Sequence, residues 1–252
     1  MRIALCLSGY FNGRRFKSTG TEGFKYLYNI LKGTNADVFL HSWDVKHEKE
    51  IISLYNPLYY IFEDQRNFKE VIRLNSLGNG VNIDWLSDAM SYAYGRSNSI
   101  KLKMEYARMN NIYYDWTIMT RFDLGIHAEI AKLTFDSTLD NNFVYLKWWD
   151  QLNNGVPEQW LYSNSENMNL FSNLYNNYLE YFKDSSNYYK TLGSWPQWNS
   201  FKIYDKNNME SCLENTIEKY GIVLHEHAAN NHVLYKYFII EQNISDKLRF
   251  LK

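Results

Sequence analysis

The sequence predicts an α/β fold in which a mainly parallel central sheet is flanked by helices. Short apolar runs without interior charge are typical of strands that are covered on both faces. Segments with helical periodicity lie between these runs, and the resulting β-loop-α-β-α-β order favours a doubly wound sheet. The chain has 252 residues, of which 45% are apolar, and it shows no Pro/Gly/Ser linker and no internal repeat. A single domain over residues 1–252 is therefore the simplest prediction.

In the first third of the chain, three strands and two helices are predicted. Buried strands are predicted at residues 3–7, 37–42 and 58–62, because each is a short apolar run. Helical periodicity predicts helices at residues 22–31 and 48–55 between them.

The middle of the chain leads into a fourth strand. Residues 74–82 are polar and contain glycine, which predicts an exposed loop. Helices are predicted at 84–94 and 99–109, the second with a serine cap. The aromatic and β-branched run 116–120 then predicts a buried strand.

The last part of the chain is less regular. Strands are predicted at residues 143–149, 160–163 and 222–224. Apolar periodicity predicts helices at residues 166–182 and 209–220.

The composition excludes several classes of protein. With 27 basic and 28 acidic residues, the chain has no charge excess that would favour nucleic acid or an anionic membrane. The apolar run at the N-terminus is too short for a signal peptide, and no later run is long enough to cross a bilayer. The chain has two cysteines, which are too few for a disulfide framework, and no cluster of Cys and His has the spacing of a zinc site. We expect a soluble, cytoplasmic protein.

The most informative segment is the end of the strand at residues 116–120, where Arg121 and Asp123 follow at once. In open α/β sheets, ligands bind outside the carboxyl ends of the strands. A carboxylate there can hold a divalent cation, and an arginine can grip phosphate oxygens. The alternative interpretation is a local ion pair between the two side chains.

Four blocks of sequence, in order, resemble a small GT-A-type glycosyltransferase of the kind found in capsule, lipopolysaccharide or viral glycan synthesis. The blocks are residues 4–15, 36–44, 99–124 and 157–163. The resemblance implies a GT-A-like, Rossmann-like domain with a donor-nucleotide half at 1–125 and an acceptor half at 126–252. It implies transfer of a sugar from a nucleoside-diphosphate sugar to a glycan or lipid-linked acceptor, as in polysaccharide biosynthesis.

The resemblance also implies a metal site, with one departure from the family pattern. Such enzymes carry two aspartates separated by one residue, whereas here the first position is Arg121. Asp123 still matches the position that meets Mn²⁺ or Mg²⁺, and His227 is the candidate for a late histidine ligand. Metal dependence stays open, because Arg121 can itself neutralise a diphosphate.

Donor-binding candidates lie where the predicted strands end or where the resemblance points. Gly9 permits close approach of a nucleotide to the backbone. The candidates are Ser8, Gly9, Arg14, Arg15, Asp44, Ser99, Arg121 and Asp123.

Glycosyl transfer with inversion needs a base that takes the proton of the acceptor hydroxyl. Glu158 is the first candidate, because the resembled enzymes often place an acidic residue just before the corresponding short strand. Asp150, after Trp148 and Trp149, is the second candidate.

Two other functions remain open at this point. A sugar-phosphate nucleotidyltransferase also places acidic residues at strand ends, to bind metal and a triphosphate. A non-catalytic module that binds nucleotide or glycan is compatible with the lone carboxylate at Asp123.

Overall fold

The computed structural model describes residues 1–12, 20–78, 80–127, 133–148, 155–188, 200–205, 209–214 and 229–251. The strands are β1 Ile3–Gly9, β2 Asp37–Ser42, β3 Tyr59–Phe62, β4 Trp116–Arg121, β5 Val144–Lys147, β6 Trp160–Ser163, β7 Ser200–Asp205, β8 Met209–Glu214 and β9 Leu248–Leu251. The α-helices are α1 Gly20–Thr34, α2 Glu48–Tyr55, α3 Phe68–Leu74, α4 Ile83–Asn110, α5 Ser165–Asn169, α6 Leu174–Tyr181 and α7 Asn231–Glu241. Short 3₁₀ helices lie at Val45–His47, Phe122–His127, Leu170–Asn173 and Ser245–Lys247.

The nine described strands form one sheet in the order β3-β2-β1-β4-β6-β5-β9-β7-β8. The four strands β3, β2, β1 and β4 are parallel neighbours, as the sequence predicts. In this register Ser8 lies opposite both His41 and Arg121. The carboxyl ends of β2, β1 and β4 therefore meet at one edge of the sheet, where ligand sites form in α/β proteins.

The sheet is mixed beyond β4. Strand β6 runs antiparallel to both β4 and β5, whereas β9 is parallel to β5 and β7. Thr120 pairs with Trp160. The residues that precede β6 consequently lie beside the carboxyl end of β4.

Hydrophobic cores cover both faces of the sheet, which gives the α/β layer arrangement. Alternate residues of β1 point to opposite faces. Leu5 packs in the core that contains residues of α1 and α2, and Cys6 packs in the core that contains residues of α3, α4, α6 and α7. Both faces of the central strands are buried, which explains their continuous apolar sequence.

Helix α4 is a single helix of 28 residues, where the sequence analysis predicts two. Asn82 caps its start by accepting hydrogen bonds from the backbone N–H groups of Asp84 and Trp85. Asn111 ends it in the left-handed region, at φ 51°. The polar run around residues 95–99 looks like a break, but most of these residues are buried and the helix continues through them.

The prediction of a helix at residues 209–220 is wrong where the structure describes it. Residues 209–214 form β8, which pairs along its whole length with β7. Pairing with a neighbouring strand overrides local periodicity in such a segment. The rest of that predicted helix and the strand at 222–224 lie outside the described residues.

Further elements differ from the predictions. The polar segment before α4 contains the end of helix α3, and residues 166–182 are divided by a 3₁₀ turn rather than forming one helix. Helices α3 and α7 and strands β7 and β9 are absent from the predictions. Among the described residues, no helix is long and apolar enough to cross a membrane.

Candidate functional site

The carboxyl ends of β1, β2 and β4 form the floor of the candidate site. Ser8 is buried and stands in register between His41 and Arg121. Gly9 follows with a φ of +107°, a conformation that favours glycine, and its carbonyl accepts a hydrogen bond of 3.3 Å from the N–H of Trp43. A Cβ at Gly9 would meet no atom within 4 Å, so the backbone here is open to close approach.

Arg121 and Asp123 form an ion pair at the end of β4. Nε of Arg121 donates to Oδ1 of Asp123 at 2.7 Å, and Nη2 donates to Oδ2. Burial opposes the charged form of Arg121, but the Asp123 carboxylate outweighs it and raises the pKa of the guanidinium. The Arg121 side chain remains 31% exposed and that of Asp123 12%. The structure thus has the local ion pair that the sequence analysis gives as the alternative.

The described residues do not fit the metal site that the resemblance implies. Both carboxylate oxygens of Asp123 accept hydrogen bonds from Arg121 in this structure, and its role as a metal ligand stays a prediction. Within the described part of the chain, no group of three or more His, Cys, Asp and Glu side chains lies where it could hold a metal ion. His227 lies outside the described residues.

Glu158 lies beside this ion pair and is itself paired. Its carboxylate forms a buried ion pair with Nδ1 of His232, which also lies 3.0 Å from the carbonyl of Val156. The Glu158 side chain is 7% exposed and that of His232 is 26% exposed. The imidazole is therefore the member of the pair that reaches solvent.

The two charges of this pair stabilise each other. Burial raises the pKa of Glu158, but the positive charge of His232 and its hydrogen bond outweigh burial, and the pKa is lowered below the ordinary 4.5. Burial lowers the pKa of His232, but the Glu158 carboxylate outweighs it, and the pKa is raised above the ordinary 6.5. Arg121 acts on both groups, since its charge further lowers the pKa of Glu158 and opposes the rise at His232.

The backbone of Glu158 is fixed by helix α4. Arg96, a fully buried arginine, donates from Nη2 to the carbonyl of Glu158 at 2.5 Å and to that of Gln159 at 3.2 Å. The hydroxyl of Tyr92 donates to the same Glu158 carbonyl at 2.7 Å. The guanidinium lies over the ring of Tyr92, 4.4 Å from its centroid, and 5.8 Å from that of Tyr235. These contacts hold the backbone that carries the Glu158 side chain in place.

The first turn of helix α7 places His232 beside Glu158. Asn230 caps the helix by accepting a 2.9 Å hydrogen bond from the N–H of His232. Gly155 packs against this first turn at a φ of +136°, and a Cβ there would lie 2.3 Å from the His232 carbonyl carbon. Only glycine allows this approach without a shift of the backbone.

Asp44 is buried at the end of β2 and organises the loop that follows β1. Its Oδ2 accepts a 2.9 Å hydrogen bond from the N–H of Asn12, and its Oδ1 lies 3.7 Å from Nδ1 of His47. Its own N–H donates to the hydroxyl of Ser42 at 3.1 Å. Asp44 thus lies at the predicted edge of the sheet, where its carboxylate is already bonded within the protein.

A second polar group lies at the carboxyl ends of β2 and β3. The fully buried His41 lies with Nε2 2.9 Å from Glu63, which also accepts hydrogen bonds from Arg66. Burial lowers the pKa of His41, against the opposing effect of Glu63. The guanidinium of Arg66 covers the ring of Tyr94 at 4.2 Å. This group borders the candidate site next to Ser8.

Ser99, a candidate for nucleotide contact, lies inside the protein. It is fully buried in helix α4, and its hydroxyl donates to the carbonyl of Arg96 at 3.0 Å. The hydroxyl is therefore used within the helix, and the contact of Ser99 with nucleotide stays a prediction. Four further candidates lie outside the described residues: Arg14, Arg15, Asp150 and His227.

The sequence analysis missed Arg96 and the pairing of His232. One signal for Arg96 is present in the sequence. Tyr92, Arg96, Ser99 and Lys103 recur at helical spacing and so share one face of α4. Polar side chains on the inward face of a long helix indicate buried hydrogen-bond partners. No comparable pattern links His232 to Glu158, because that contact depends on how α7 docks.

Comparison with known proteins gives no family assignment. No protein-family model matches the sequence, and no curated protein matches it.

Proposed function

We propose that the chain is a glycosyltransferase that moves a sugar from a nucleoside-diphosphate sugar to a glycan or lipid-linked acceptor, in a GT-A-like fold. One observation carries the proposal. A partly exposed cation, Arg121, lies at the carboxyl end of the central strand β4, next to the buried Glu158–His232 pair. Such a site combines charge for a leaving diphosphate with a group that can take a proton.

Arg121 is the proposed partner of the diphosphate. A guanidinium has five N–H donors, and the pair with Asp123 uses two of them. The remaining donors can meet phosphate oxygens, while Asp123 fixes the plane of the guanidinium. Departure of the nucleoside diphosphate places negative charge on those oxygens, which a fixed cation stabilises without reorganisation. Gly9, with its open backbone, is the proposed point of close approach for the donor.

Glu158 and His232 are proposed to act together on the acceptor hydroxyl. His232 is the more exposed member of the pair, and its Nδ1 faces Glu158 and Val156. The proton of the acceptor would pass to Nε2 of neutral His232, while Glu158 holds the ring and stabilises the resulting imidazolium. A lowered pKa makes Glu158 itself a weak proton acceptor. We therefore assign it to positioning rather than to direct proton transfer.

The proposal is tested by acceptor-dependent release of nucleoside diphosphate from a panel of sugar nucleotides. For wild type, we expect turnover to rise with pH through a value above 6.5, because His232 must lose its proton to act. Glu158→Gln should lower turnover by roughly a hundredfold or more, while donor binding stays close to normal. The rise of turnover with pH should then occur at lower pH than in wild type. Arg73→Ala, a change on the exposed face of α3, is the matched control and should leave turnover unchanged.

Three results would contradict parts of this proposal. Turnover that rises with pH through a value below 4.5 would indicate that Glu158 is the proton acceptor. A loss of donor binding in Glu158→Gln equal to that in Arg121→Ala would place Glu158 in the donor site. If no combination of donor and acceptor releases nucleoside diphosphate, the proposed transfer reaction is contradicted.

A further inference from the structure

A pocket with a buried lysine lies at the opposite end of the sheet from the candidate site. It has a volume of about 630 Å³, and its lining includes Lys103, Arg108, Tyr113, Tyr114, Ser165 and Asn169. The two tyrosines precede β4, and Ser165 follows β6, which is antiparallel to β4. The pocket therefore opens at the amino end of β4 and is separate from the carboxyl-end site.

The ammonium group of Lys103 is enclosed and has two neutral hydrogen-bond partners. The residue is 1% exposed, and Nζ donates to Oγ of Ser165 at 3.1 Å and to Oδ1 of Asn169 at 2.7 Å. Both acceptors are neutral. Within the described part of the chain, no carboxylate forms an ion pair with Lys103. Burial lowers the pKa of Lys103 to about 8, which reflects the cost of enclosing this charge.

The titratable groups around Lys103 do not supply a counter-charge. The thiol of Cys6 on β1 is buried, which raises its pKa to about 12 and keeps it neutral. Burial and Asp37 raise the pKa of Tyr114, so this phenol is neutral as well.

Three charged side chains lie on exposed parts of the adjoining helices. Glu105 and Arg108 lie at the rim of the pocket on α4, with opposite charges, and Glu166 is exposed on α5. Lys103 thus places a positive charge in the wall of the pocket, and no carboxylate of the described residues is paired with it.

We propose that this pocket binds a small molecule through an anionic oxygen group, a carboxylate or a phosphate, with Lys103 as its charge partner. A buried ammonium is stabilised by an anion that can also accept its hydrogen bond. The volume is in the usual range for small-ligand sites. Ser165 and Asn169 orient the ammonium, and Arg108 at the rim adds a second cation. The proposal does not depend on the proposed transferase activity.

Sulfate is the first probe, because its charge does not change over the pH range of the experiment. Thermal unfolding is followed at increasing sulfate, with sodium chloride at matched ionic strength as the reference. We expect a saturable rise in Tm for wild type with sulfate beyond that with chloride. Phosphate and acetate are then compared, and the anion with the lower half-saturating concentration identifies a phosphate or a carboxylate as the group that binds.

Two variants test whether the sulfate response depends on Lys103 or on any buried lysine. Lys103→Met keeps the length of the side chain without its charge and should abolish the sulfate-specific rise. Lys236→Met is the matched control, since Lys236 is a buried lysine of α7 that does not line this pocket. It should keep the full response.

If Lys103→Met does not fold, the pH dependence of sulfate binding to the wild type tests the same proposal. One pH unit above the Lys103 pKa of about 8, only about a tenth of the molecules carry the ammonium. The half-saturating sulfate concentration should then be about tenfold higher than at pH 7. Equal responses to sulfate and chloride, a sulfate response retained by Lys103→Met, or an affinity that does not change with pH would each overturn the proposal.

Discussion

At the scale of single residues, the pairing of Glu158 with His232 makes the candidate site sensitive to pH. The pKa of Glu158 is lowered, so its contribution to stability is present above its ordinary 4.5 and is lost as pH falls through the folded-state value. The pKa of His232 is raised, so its contribution is complete below the ordinary 6.5 and is lost as pH rises through the folded-state value. The pair therefore contributes most between these two values.

This window gives a stability prediction that needs no substrate. A double-mutant cycle of Glu158→Gln and His232→Gln should show a coupling free energy that is largest between about pH 4.5 and 6.5 and falls on both sides. Coupling free energies between residues in contact are on the order of 0.5–3 kcal/mol, so the effect is measurable by denaturant unfolding. A coupling free energy that is constant with pH would show that the two groups are not paired in solution.

Some features of the site follow from residue type alone, and others do not. Arg121 and Asp123 were predictable at the sheet edge, because they follow a run of apolar and β-branched residues that is buried on both faces. Their mutual pairing was one of two interpretations that the sequence left open. Arg96 could be inferred only as a polar residue on an inward helix face, without its partner. The contact between Glu158 and His232 joins two distant segments, and no local pattern encodes it.

At the scale of elements, the position of Asp123 depends on how α1 packs. Helix α1 contacts the 3₁₀ turn Phe122–His127 at Gly23, where a Cβ would lie 1.8 Å from the carbonyl oxygen of Phe122. Backbone approaches this close require glycine. The first turns of α1 thereby hold the segment that carries Asp123.

Two glycine substitutions in the same helix test this contact. Gly23→Ala should lower the free energy of unfolding by about 1–3 kcal/mol, since the added methyl group has to displace backbone. Gly33→Ala lies in open space near the end of α1 and should raise it by about 0.5–1 kcal/mol, because alanine loses less entropy in a helix. Denaturant unfolding measures both changes. Equal effects of the two substitutions would mean that α1 does not approach the turn as described.

The elements also show where sequence patterns succeed and where they do not. Strands β1 to β4 were predictable because each is buried on both faces, so that its apolar run needs no partner information. Residues 209–214 have apolar spacing that also suits a helix, and pairing with β7 decides their conformation. Helix α4 continues through residues 95–99 because tertiary contacts hold a polar stretch that local propensity would interrupt.

At the scale of the whole molecule, the topology gathers the candidate residues from several parts of the chain. Parallel pairing brings Ser8, His41 and Arg121 into one row at the sheet edge. Antiparallel β6 and helix α7 then bring Glu158 and His232 beside that row. The same arrangement leaves Lys103 at the other end of α4. This topology places the proposed donor site and the proposed anion pocket at opposite ends of the sheet.

The most direct test of the proposed donor site is calorimetric titration with nucleoside diphosphates, with and without Mn²⁺, on wild type, Arg121→Ala and the control Arg73→Ala. We predict that at least one nucleoside diphosphate binds wild type and the control equally. Arg121→Ala should lose about 1.5–3 kcal/mol of binding free energy, because an arginine–phosphate contact is charge-assisted. Failure of every nucleoside diphosphate to bind, or binding that is unchanged in Arg121→Ala, would contradict the assignment of the carboxyl end of β4 as the donor site.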